Sequence, residues 1–173
     1  MDQKKPISHF IAALVIAAIL IVFTCVLYFT GNQLNNGLAW LSYIFIAAGL
    51  IVFINLYGKA LNNQVTFGNL FSYGFKTTAF LALIMIAFTL IFFFIFPEIK
   101  EKMFEMTRQK MEEQGKMTDE QIEQGLQLWK KMFWVFIIGG IILVYAIVGA
   151  ISSLIGAAIT KKKSVNPLDQ MSM

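Results

Sequence analysis

Four stretches of about 20 residues, each free of Asp, Glu, Lys and Arg, constrain this chain more than any other feature: 10–28, 38–57, 78–96 and 133–159. A helix needs about 20 consecutive apolar residues to cross the ~30 Å hydrocarbon core of a bilayer. The fourth stretch exceeds that need, so it is expected to tilt or to extend past the membrane at its Trp134 end. The spans occupy roughly half of the 173 residues and leave no room for a separate soluble domain. The expected fold is an all-α integral membrane protein. It is a single domain, 1–173, of four transmembrane helices, with a short extramembrane helical hairpin at 97–132.

Composition narrows the function classes. The chain is 58% hydrophobic and 14% charged, where soluble domains carry about a quarter charged residues. A soluble enzyme, a disordered tail and a nucleic-acid binder are thereby excluded; no basic run is interleaved with stacking aromatics. The lipid bilayer is the first expected partner. Lys4 and Lys5 precede the first span, but its apolar run is longer than the ~7–15 residues of a signal core, and no small-residue cleavage site follows. Span one therefore reads as a retained anchor. Cys25 lacks the small neighbours of a lipobox, since Phe23 and Thr24 precede it, and reads as a buried helix residue.

Orientation follows from flanking Lys and Arg. With the N-terminus inside, seven fall on each side, so the raw count ties. The first hairpin breaks the tie with two lysines before span one and none after it. A multi-pass membrane protein with both termini cytoplasmic is expected. Trp40, Trp129 and Trp134 then mark one membrane face, and Phe67, Phe71 and Tyr73, read as a short second loop, give a lighter fringe on the other.

The 97–132 segment is patterned. Pro97 suits a helix restart. Ile99, Met103 and Met106 recur at helical spacing, and Gly115 stops that helix. Thr118 and Gln121 form a capping box for a second helix, whose stripe of Ile122, Leu126, Trp129 and Phe133 runs straight into span four. Within span four, Gly149, Ser153 and Ala157 recur every four residues, a spacing that lets helix backbones approach closely. The bland reading is packing inside the bundle. The sharper one is a contact with a membrane-protein partner or a second copy of the chain.

Catalytic, cofactor and metal sites are all expected to be absent. The apolar cores carry no Asp, Glu, Lys, Arg or His, whereas intramembrane charges usually mark function and small multidrug exporters depend on a Glu in their first span. One Cys cannot form a thiol pair, and a single His, His9, cannot supply paired haem ligands. His9 and Cys25 fall short of the three or four ligands of a zinc site. Met103 and Met106 are too few for a copper site and read as adaptable packing. Acid–base chemistry through Glu101, Glu105 and Glu123 would need a carboxylate held in a pocket, and their alternation with bases reads as a solvated face.

Three sequence blocks carry a family resemblance. Thr66-Phe67-Gly68-x-x-Phe71-x-x-Gly74 leads into span three. Pro97 and a Glu/Lys-rich hairpin precede Met117-Thr118-Asp119-Glu120-Gln121-Ile122. Span four closes as Leu154-Ile155-x-Ala157-Ala158-Ile159-x-Lys161-Lys162. Together they resemble a Bacteroidota family of small four-span membrane proteins catalogued only as a domain of unknown function. The resemblance implies the architecture and a bacterial inner-membrane address, and it carries no reaction. The expected function is a non-catalytic accessory or scaffold module that binds another membrane protein; the alternative is a transporter or channel for a lipid or small apolar solute.

Overall fold

A computed structural model describes residues 5–32 and 34–163; Lys4, one of the two lysines used for orientation, lies outside them. Five helices follow in order: α1 (His9–Phe29), α2 (Asn36–Ala60), α3 (Phe67–Ile95), α4 (Glu98–Gln114) and α5 (Asp119–Ile159). All secondary structure among the described residues is helical. Four of the helices, all but α4, are long and apolar enough to cross a membrane. The protein is therefore membrane-embedded.

Local chemistry sets the helix starts. The Ser8 hydroxyl accepts from the Ile11 amide at 3.3 Å, and the Asn35 carboxamide oxygen accepts from Gly37 and Leu38 at 2.9 and 3.3 Å. Before α5 the two halves of the capping box are both made. The Thr118 amide donates to Gln121 Oε1 at 3.0 Å, and the Gln121 amide donates to Thr118 Oγ1 at 3.4 Å. Gly115 ends α4 at φ +61°, in the left-handed region that glycine enters without penalty. Replacing Thr118 by Ala is expected to destabilise this start by about 1 kcal/mol. Hydrogen exchange of the 119–122 amides would register it as faster opening, and unchanged protection would count against the box.

One boundary differs from the sequence reading. Phe67, Phe71 and Tyr73 are not in a loop; they form the first turns of α3, which starts once Thr66 Oγ1 accepts from the Asn69 amide at 3.2 Å. An uncharged stretch is a measure of lipid compatibility, and Lys76 ended it. The helix continues through Lys76 because that side chain is exposed and needs no burial. Tyr73 also departs from an interfacial fringe. It is buried, stacks on Tyr57 with ring centroids 4.2 Å apart and donates its hydroxyl to Ile7 O at 3.1 Å.

The described residues fall into two compact units. The first lies within Met1–Ile84 and Val144–Met173, the second is Met85–Leu143. In the first unit α1 packs along α2, and a core of Ala12, Ile54, Val65, Leu70, Tyr73 and Ala157 closes around them. Several of its glycines sit where helices touch. A Cβ at Gly49 would lie 2.8 Å from Ile16 Cγ1, at Gly58 2.7 Å from Thr160 Cγ2, and at Gly156 2.7 Å from Ile54 Cδ1. Such small-residue contacts hold apolar helices by dispersion, because lipid offers no hydrophobic drive for their association. The second unit holds the end of α3, all of α4 and the first part of α5.

Candidate functional site

Gly149, Ser153 and Ala157 come from the last part of α5 and lie inside the first unit. Gly149 faces the side chain of Thr78 on α3 with no space for a Cβ, and Ser153 and Ala157 are wholly buried. Ser153 Oγ packs against Gly74 and has no hydrogen-bond partner, while Thr77, Thr78 and Thr160 each donate to the carbonyl four residues earlier. His9 is half-buried beside Tyr73, with ring centroids 4.8 Å apart. Cys25 is a half-buried residue of α1.

The polar chemistry is concentrated in the second unit. Ile99, Ile122, Leu126 and Phe133 are buried between α4 and α5, and Met103, Met106 and Trp129 are half-buried around them. Phe133 is the hub of an aromatic cluster. Its ring lies 5.3 Å from Phe93, 5.5 Å from Phe104, 5.2 Å from Trp134 and 6.1 Å from Trp129, all edge-on. Phe104 and Trp129 meet at 4.7 Å, perpendicular to each other.

Beside this cluster opens a groove of about 700 Å³ lined by α4 and α5, with Lys100, Glu101, Phe104, Glu105, Arg108, Glu123 and Lys130 on its walls. The ammonium group of Lys100 lies 4.8 Å from the centre of the Phe133 ring, 5.8 Å from that of Phe104 and 6.0 Å from that of Trp134. Lys130 approaches the Phe104 ring from α5 at 5.7 Å. Arg108 is bound to Glu112 at 2.9 Å, and that hydrogen bond and charge, with Glu123 and Asp119 on α5, hold its guanidinium above its ordinary pKa.

The sequence reading named Glu101, Glu105 and Glu123 together, and the structure brings all three to this groove as exposed side chains. It missed Lys100 and Lys130, treating them as topology markers. The Lys100–Phe104 spacing of one helical turn was the available signal. No cluster of three or more His, Cys, Asp or Glu among the described residues is arranged to hold a metal.

No curated protein and no solved structure matches this chain. A family model described as "Protein of unknown function (DUF4199)" matches residues 12–162, from α1 through to the lysines that follow α5. With α2 to α5, nearly all of α1, the core and the groove inside that match, the chain belongs to this family of unknown function.

Proposed function

We propose that the chain is a non-catalytic accessory or scaffold module of a bacterial cytoplasmic membrane that binds another membrane protein. In this reading both termini are cytoplasmic, and 97–132 forms a helical hairpin outside the bilayer on the opposite side. The length of α5 supports that placement: its 41 residues measure about 60 Å, twice the thickness of the hydrocarbon core.

One observation carries the accessory role. The groups capable of acid–base chemistry, Glu101, Glu105 and Glu123, are exposed in an open groove, while the interior of the first unit is built from aliphatic, glycine and hydroxyl residues suited to packing. Since Gly149, Ser153 and Ala157 face neighbouring helices of the same chain, a partner or second copy would meet the outward row beside them, Ile147, Ile151, Leu154 and Ile155, all exposed. Affinity capture of a C-terminally tagged chain from its native membrane, read by mass spectrometry, tests this. One stoichiometric membrane-protein partner is expected; recovery of the chain alone overturns it.

The groove favours a second reading, handling of a lipid or small apolar solute, because charged walls there adjoin an aromatic floor. Flux in proteoliposomes would select that reading.

A further inference from the structure

The groove brings cations and carboxylates together, Lys100 and Lys130 with Glu101, Glu105 and Glu123, and that combination specifies a ligand. Lys100 and Lys130 approach the same ring, Phe104, from two helices, and among the described residues neither has a carboxylate within ion-pair distance. Arg108 is already engaged by Glu112. Glu101 and Glu105 stand one turn apart on α4 and line the same groove. A simple anion would be drawn to the lysines and repelled by the glutamates, and a simple cation the reverse. A molecule with one phosphodiester and, a few bonds away, one primary ammonium meets both pairs. Lys100 also lies over Phe133 and Trp134, so the phosphate end falls beside the rings where α5 enters its apolar stretch. Interfacial aromatics and lysines favour that depth of a bilayer.

We propose that the groove between α4 and α5 binds a phosphoethanolamine diester, with Lys100 and Lys130 on the phosphate and Glu101 and Glu105 on the ammonium. Such a group is the headgroup of phosphatidylethanolamine, and it also exists free as glycerophosphoethanolamine. The ammonium donates three hydrogen bonds to the carboxylates, which a quaternary choline cannot do. Pro97, on the side of Lys100 away from Glu105, supplies apolar contact for the glycerol end. The inference goes beyond the accessory role and fails separately from it, because headgroup selection is read without any protein partner.

The test uses the purified full chain in detergent, titrated with dioleoyl phosphatidylethanolamine, phosphatidylglycerol or phosphatidylcholine and followed by native mass spectrometry. Phosphatidylethanolamine should be retained at least about fivefold better than the other two, the scale expected of two partly exposed charge pairs. In the K100Q/K130Q chain retention of all three should fall. In the E101Q/E105Q chain the preference for phosphatidylethanolamine over phosphatidylglycerol should vanish. Equal retention of the three lipids by the unaltered chain overturns the proposal without recourse to a variant, as does selectivity that survives both pairs of substitutions. Glycerophosphoethanolamine provides the last arm. If it displaces the lipid at comparable concentration, the site takes the soluble diester; if it does not, the site takes the membrane lipid.

Discussion

Replacing Gly149 by Leu should unfold the first unit's helix packing, with a loss of about 3 kcal/mol or more. The position allows no compromise. A Cβ added there would fall 2.7 Å from Thr78 Cβ, and Thr78 is itself buried with its hydroxyl bonded to Gly74 O at 3.0 Å. The neighbour cannot swing away, because both the backbone of α3 and the Thr78 rotamer are fixed by that bond. Leucine would drive α5 from α3 and remove the close contact of Gly74 with Ser153 as well. Thermal or denaturant unfolding of the purified protein measures the loss. Two comparisons isolate the cause. Gly139 and Gly140, on the same helix, have nothing within 4 Å of an added Cβ, so alanine at either should leave stability unchanged or raise it by about 0.5 kcal/mol. Ser153→Ala, one turn from Gly149, removes a buried hydroxyl that has no partner and should raise stability by about 1 kcal/mol. Equal effects at Gly149 and Gly139 would refute the packing account.

The second large effect is expected at Phe133. Truncation to Ala should cost about 3 kcal/mol, because the side chain is buried and four aromatic neighbours would line the resulting cavity. Lys100 would lose its nearest ring as well. Near-ultraviolet circular dichroism should weaken, and the emission of Trp129 and Trp134 should shift to the red. A Trp40→Phe background removes the remaining indole, so the tryptophan emission belongs to the second unit alone. Phe133→Leu keeps most of the volume and should recover more than half of the lost stability. Unchanged spectra in Phe133→Ala would mean that the cluster does not hold α4 against α5.

The sequence by itself determined what short-range chemistry decides. Charge-free stretches located four spanning helices. Pro97 separated α3 from α4, Gly115 ended α4, and Thr118 with Gln121 began α5, which runs unbroken into the last apolar stretch. The buried stripe of Ile122, Leu126 and Phe133 was legible too, since it alternates with charged residues and periodicity exposes the contrast. Within the spans that contrast disappears. A helix that is apolar on every side does not declare which face meets lipid and which meets protein. Only the tertiary structure decided that Gly149 is a contact and Gly139 is open, that Tyr73 stacks inward on Tyr57, and that Lys100 turns onto the rings of α5. The groove has the same origin. Its lysines and glutamates lie on helices separated by a turn in sequence, and they form one surface only because the buried stripes of α4 and α5 fix which sides of the two helices remain outside.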